Sequence, residues 1–237
     1  MRPLLIVKSG KTLPELVARR GDYEDWISAG MGLARSRVAI APVYEDASLP
    51  EPASLAGVVV TGSSAMVSQR APWSERTAVW LASAALAGTP VLGICYGHQL
   101  LAHSLGGRVG PNPRGREIGS IEVSLHDAAR GDPLFAELPA QVRMQASHVE
   151  AVLELPAGAR LLASSRGDPH QAFAVADHAW GVQFHPEFDA DVVRTDLEAR
   201  RDAVSAEGLD PDALLCGASD SPHGVALLQR FAGLLRD

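Results

Sequence analysis

Cys95 stands where the sequence switches from strand to helix. In GTPVLGICYGHQLLAHSLGG, residues 88–107, an apolar run leads straight into Gly93-Ile94-Cys95-Tyr96-Gly97, and helix-forming residues follow at once. A small-x-nucleophile-x-small pattern at such a turn is a nucleophile elbow. The turn holds its central residue in a sparsely populated backbone conformation, so neighbours two residues away must lack side chains to let the chain pass. A thiol there projects at the end of a sheet, beside helix N–H groups and a positive dipole that favour thiolate. Those amides can also hold a developing oxyanion. A buried structural cysteine is the alternative, and the flanking glycines speak against it. Cys216 lacks that context: it follows Leu214-Leu215 in a loop-like stretch and reads as structural or incidental.

A thiolate attacking a carbonyl carbon needs a proton shuttle, and His185 is the strongest of eight histidines. It ends the apolar run Gly181-Val182-Gln183-Phe184, which places it at a strand terminus, where open sheets carry their sites. Pro186 stiffens the chain, and the Glu187 carboxylate two residues on can reach back to fix the imidazole tautomer. Local sequence leaves a second reading open, in which His185 is a satisfied, partly buried histidine and Glu187 caps the next helix. Gly62-Ser63-Ser64 is another small-residue turn at the same sheet edge and could supply a second oxyanion amide. It is not a P-loop, because no GK[ST] follows, so no nucleotide site is expected. His98 and His103, five apart on one helix, do not share a face well, and no HExxH, CxxC or carboxylate cluster is present. No metal or other cofactor is therefore expected. His148, after Ser147 at a strand end, suits a ligand loop, while His170 and His178 read as loop residues.

The elements that position these residues alternate. Apolar strands are predicted over 4–7, 38–43, 57–61 and 90–94, with helices over 23–33, 74–87 (capped by Ser74) and 96–105, the last ended by Gly106-Gly107. GVVVT at 57–61 is continuously apolar, as a strand buried on both faces should be. That order predicts an α/β fold with a mostly parallel central sheet and helices on both faces, a flavodoxin-like three-layer arrangement. From 117 onward short strands follow one another at 117–125, 143–145, 159–165, 171–175 and 181–184, with one short helix over 133–138, which reads as a small antiparallel ribbon attached to the core. A polar helix with mixed charges over 191–207 suits a solvated face, a loop through Asp210-Pro211, Gly217 and Pro222 comes next, and a last amphipathic helix covers 225–235. Residues 1–237 read as one domain with a helical C-terminal extension at about 191–222.

Composition limits the setting. Among 237 residues, 46% are hydrophobic and 21% charged, which requires a packed core. Asp and Glu (28) exceed Lys and Arg (21), and a net charge of −7 with no basic run disfavours nucleic acid or an anionic membrane as partner. Two cysteines build no disulfide framework. The N-terminus has no signal-peptide pattern, and the longest apolar tract is broken by Gly88-Thr89-Pro90, so a cytoplasmic protein is expected.

Four blocks in order, GVVVTGSSAMV at 57–67, GICYGHQLLAHSLGG at 93–107, MQASHVEAV at 144–152 and WGVQFHPEF at 180–188, resemble a triad-type class I glutamine amidotransferase. The likeness is strongest to the glutaminase domain of GMP synthase and its free-standing relatives. The resemblance implies a Cys–His–Glu triad on Cys95, His185 and Glu187, with the Gly62-Ser63 turn and the Tyr96 amide as oxyanion hole. It also implies that Gln99 and the backbone around Ser147 and His148 hold glutamine, the γ-amide being opened through a thioester on Cys95. Two loops depart from the pattern: SGGP reads TGSS at 61–64, and SHGD reads SHVE at 147–150, with Val149 in the glycine position and Glu150 keeping an acid.

The resemblance implies three possible functions. The first is a glutaminase that passes ammonia to a synthase partner. The second is a stand-alone γ-glutamyl hydrolase or peptidase, favoured by an open pocket beyond the γ-carbonyl. The third is a non-catalytic regulatory relative, against which the three triad residues argue.

Overall fold

The computed structural model describes residues 2–236. In chain order its strands are β1 Leu4–Lys8, β2 Val38–Pro42, β3 Gly57–Val60, β4 Val91–Ile94, β5 Arg108–Pro111, β6 Glu117–Leu125, β7 Gln141–His148, β8 Glu150–Glu154, β9 Arg160–Ser165, β10 Ala172–Val175 and β11 Ala179–Val182. Its α-helices are α1 Pro14–Arg20, α2 Tyr23–Gly30, α3 Pro72–Leu86, α4 Tyr96–Ser104, α5 Ala190–Ala199, α6 Arg201–Ala206, α7 Pro211–Gly217 and α8 Pro222–Gly233.

Nine strands form one sheet in the order β2-β1-β3-β4-β11-β10-β9-β6-β7. The first five are parallel neighbours, and across the rest only β10 and β6 run against the common direction. The predicted strands from 117 onward thus continue the main sheet, and the small antiparallel ribbon is the separate two-stranded sheet of β5 and β8, whose segments were not among those read as strands.

Strand alternation divides the interior in two. Leu4 and Ile6 of β1 face a core shared with Trp26 and Ile27 of α2 and with Leu227, Leu228 and Phe231 of α8. Leu5 and Val7 face the opposite core, with Ala78 and Leu81 of α3 and Leu100 and Leu101 of α4. Burial on both faces explains why β1, β3 and β4 read as unbroken apolar runs.

Several expectations are corrected. Helix α3 starts at Pro72 after Ala71, because proline is preorganised for the first helical position; Ser74 turns inward, its hydroxyl 2.5 Å from the Tyr96 hydroxyl. Residues 133–138 form a succession of turns rather than a helix. The Asp132 carboxylate organises them, accepting from the Leu134 amide at 2.9 Å and the Trp180 indole at 3.0 Å. The stretch read as a loop after Asp210 contains α7, capped by the Asp210 side chain, and Cys216 is exposed on it. Helix α1 was not foreseen; it is short and has no side-chain cap at Leu13.

Candidate active site

Three parallel neighbours, β3, β4 and β11, end side by side and release the chemistry-bearing segments at one sheet edge. Cys95 follows β4 with φ 51° and ψ −101°, a conformation rarely adopted by a residue with a side chain. The flanking glycines are required by close approach. A Cβ on Gly93 would lie 2.3 Å from the Gly97 carbonyl oxygen, and one on Gly97 2.3 Å from that of Val60. The elbow read from the sequence is therefore present, with Cys95 buried to 6% exposure at the start of α4.

β11 ends at Val182, opposite Ile94 of β4, so the segment carrying His185 leaves next to Cys95. The His185 amide donates to the Gln145 carbonyl at 2.7 Å, where β7, at the far edge of the sheet order, meets it again. Its Nδ1 lies 2.8 Å from Glu187 Oε1, and the Glu187 side chain is fully buried. Glu187 therefore orients the imidazole and does not cap the following helix, a job done by Asp189. The His185 ring stacks on Phe188 at 4.0 Å between centroids and on Tyr23 at 6.3 Å. Burial opposes a charge on this ring, but the Glu187 carboxylate and the Cys95 side chain, itself a hydrogen-bond partner, outweigh it and push the pKa up to about 10. A protonated imidazole facing a thiol can hold it as thiolate and later give up the proton.

The Gly62-Ser63 turn lies against the same ring: a Cβ on Gly62 would sit 2.9 Å from His185 Cε1. Ser63, where the family pattern has glycine, donates its hydroxyl to the Ser9 carbonyl at 2.8 Å and accepts from the Ala65 amide at 3.1 Å. The serine pins the turn to the end of β1 through its side chain. The Ser63 and Tyr96 amides make no hydrogen bond among the described residues, which leaves both able to donate to a ligand.

Two cavities meet at Cys95. The smaller, about 80 Å³, is bordered by Gln99, Arg116, His148, Val149 and Glu150. The larger, about 260 Å³, is bordered by His185, Leu13, Tyr23, Phe188 and Val192. Ser63, Ser64, Cys95, Ser147 and Arg200 line both. Gln99 spends its amide N–H groups on the Glu150 carbonyl at 2.9 Å and Gln183 Oε1 at 3.0 Å, so its own Oε1 is what it can offer a ligand. The Ser147 carbonyl is 3.8 Å from Cys95 Sγ. The His148 ring is tied at both nitrogens, to the Glu150 carbonyl at 2.9 Å and to Glu117 Oε2 at 3.0 Å, so only its backbone can serve the cavity.

The 191–207 region is not the solvated face its charges suggested. Asp196 accepts from the Ser147 hydroxyl at 2.6 Å and from Arg200 Nε at 2.9 Å, and both side chains border the larger cavity. Glu207 holds Arg116 by two bonds of 2.8 and 2.9 Å at the smaller one. Sequence reasoning missed these residues. One signal was available for Asp196: it falls on the buried stripe of α5 between Val192, Val193 and Leu197, where an unpaired acid would be costly. His98 is fully buried against Phe173, and burial lowers its pKa to about 3, so it stays neutral. Among the described residues, no group of three or more His, Cys, Asp or Glu side chains is arranged to hold a metal ion, and no helix is long and apolar enough to cross a membrane.

Residues 22–200 match the family model described as glutamine amidotransferase class-I. The chain is 37% identical over 184 residues to a GMP synthase [glutamine-hydrolyzing] of Thermomicrobium roseum, and 42% identical over 192 residues to one of Aeropyrum pernix. Each alignment covers 78% of this chain, but only 31% and 32% of those longer proteins. Among solved structures, a glutamine amidotransferase from Thermotoga maritima superimposes with a TM-score of 0.75 at 23% identity, covering 98% of this chain and 99% of that one. Another from Methylobacillus flagellatus gives 0.70 at 20% identity, over 99% and 92%. The likeness to the solved structures is one of fold, whereas the family match and the sequence relatives reach the residues of the elbow, and on them the chain belongs to the class I glutamine amidotransferases, cysteine-type enzymes that act on glutamine through a thiol nucleophile.

Proposed function

We propose that Cys95, His185 and Glu187 are the catalytic residues of a glutaminase, and that the smaller cavity holds the glutamyl part of the substrate. The thiolate of Cys95 attacks the γ-carbonyl carbon. The amides of Ser63 and Tyr96, in the loops that contain Gly62 and open α4, receive the oxyanion. His185 gives its proton to the leaving nitrogen, the C–N bond breaks, and a γ-glutamyl thioester remains on Cys95. Water then attacks that carbonyl, passes a proton to His185, and glutamate leaves as the C–S bond breaks. Glu187 fixes the ring so that Nε2 faces the thiol. Gln99 Oε1 and the backbone of Ser147 and His148 hold the substrate.

The observation that carries this reading is a strained thiol at an elbow beside an imidazole held 2.8 Å from a buried carboxylate. The released ammonia is taken up by a synthase partner, which in the longer relatives named GMP synthase would correspond to the part this chain does not cover. Glutamate and ammonia release from glutamine tests the assignment. The wild type should turn over and Cys95→Ala should not. His185→Ala should lose about a hundredfold or more in kcat, with a smaller loss in Glu187→Gln. Retained turnover in Cys95→Ala would overturn it.

A further inference from the structure

Two side chains sew the turn after β3 to the end of β1. These strands are parallel neighbours, and their pairing runs past the strand ends, where the Thr61 amide donates to the Val7 carbonyl at 3.1 Å. Beyond that point side chains take over. The Ser9 amide donates to the Thr61 hydroxyl oxygen at 3.0 Å, and that hydroxyl donates in turn to the Gly62 carbonyl at 2.9 Å. The Ser63 hydroxyl donates to the Ser9 carbonyl at 2.8 Å and accepts from the Ala65 amide at 3.1 Å. Thr61 is fully buried. Gly10 makes room for the serine: a Cβ there would lie 2.7 Å from Ser63 Oγ.

The bond to the Gly62 carbonyl decides how one peptide faces. The C=O and N–H of a trans peptide point opposite ways. A carbonyl held by Thr61 therefore leaves the Ser63 N–H turned away from that hydroxyl, and this N–H has no partner among the described residues. Glycine at 62 would otherwise let the peptide turn over. A turned peptide would present an oxygen where the oxyanion forms, and two oxygens of like charge repel. No proline stiffens the turn, since Ser64, which is exposed, stands at the position where one occurs in the SGGP pattern.

We infer that Thr61 and Ser63 act through their side chains as positioning residues, holding the Gly62–Ser63 peptide with its N–H ready for the oxyanion before substrate arrives. The Ser63 hydroxyl supplies the stiffness that a proline at 64 would give. This rests on the glutaminase reading above, which uses the Ser63 amide but assigns nothing to either hydroxyl.

The test is steady-state glutamine hydrolysis, with kcat referred to folded protein counted from a denaturant unfolding curve. In Thr61→Val and in Ser63→Gly, kcat should fall about tenfold, the cost of ordering one residue's backbone in each turnover. KM should stay near the wild-type value, because the oxyanion exists only in the transition state. Thr61→Ser keeps the hydroxyl and should stay close to the wild type. Adding Ser64→Pro to Ser63→Gly should recover most of the loss. Alkylation of Cys95 by iodoacetamide makes no oxyanion, so its rate should be the same in all five proteins. Unchanged kcat in Thr61→Val and Ser63→Gly, or an alkylation rate that falls with kcat, would overturn this inference and leave the glutaminase reading standing. A double variant no faster than Ser63→Gly would overturn the part given to Ser63. A wild type that releases no glutamate would overturn both readings.

Discussion

The Ser147 hydroxyl donates to the Asp196 carboxylate at 2.6 Å, which ties the segment whose carbonyl faces Cys95 to helix α5. Arg200 steadies the same carboxylate from one turn along that helix. Helix α5 thereby reaches the larger cavity at Cys95 without supplying a reacting group. Asp196 is a positioning residue. Asp196→Ala should raise KM for glutamine by about tenfold, the equivalent of one lost hydrogen bond to a charged group, with a smaller change in kcat. Asp196→Asn keeps an acceptor for Ser147 and should recover most of the loss. Steady-state kinetics on the two variants decides: if kcat falls while KM stays put, the bond positions the thiol and not the substrate.

The charge on His185 makes stability depend on pH. Its folded pKa of about 10 lies above the unfolded value, which is about 6.5. The stabilisation is therefore fully present below the unfolded value and is lost as pH rises through about 10. Denaturant midpoints measured from neutral pH upward should fall toward that limit. In Glu187→Gln the fall should begin at lower pH, because the carboxylate is the leading influence that raises the histidine. Superimposable profiles for the two proteins would show that Glu187 does not set the charge.

Gly97 reports on the elbow. Its added Cβ would meet the Val60 carbonyl at 2.3 Å, and the obstacle is backbone, which cannot swing aside. Gly97→Ala should destabilise the protein by about 2–3 kcal/mol, as overpacking does, and should displace the start of α4. The control is Gly106→Ala: no atom lies within 4 Å of a Cβ there, although φ is +89°, so only conformational strain is added. Comparable unfolding free energies with full activity in Gly97→Ala would remove the close-packing argument for this glycine.

Much of this was legible in the sequence because the signals were local. Gly93 and Gly97 around Cys95, the apolar run into His185, and the unbroken GVVVT strand each state their surroundings within a few residues. What escaped depends on distant partners. Ser74 reads as a cap, yet proline starts the helix and the hydroxyl finds Tyr96. Charges over 191–207 read as solvated, yet Asp196 accepts from both Arg200 and Ser147 beside the cavity. Strands β5 and β8 are short and pair across about forty residues, which no periodicity discloses. The Ser63 side chain points to Ser9 for the same reason: the bond spans two parallel strands that only the fold brings together.

The thioester on Cys95 is the most direct thing to measure. Acid quenching during glutamine turnover, followed by intact-mass analysis and peptide mapping, should find a γ-glutamyl adduct on Cys95 that hydroxylamine removes and that Cys95→Ala lacks. Glutamate release that persists without any adduct, or an adduct mapped to Cys216, would contradict the mechanism.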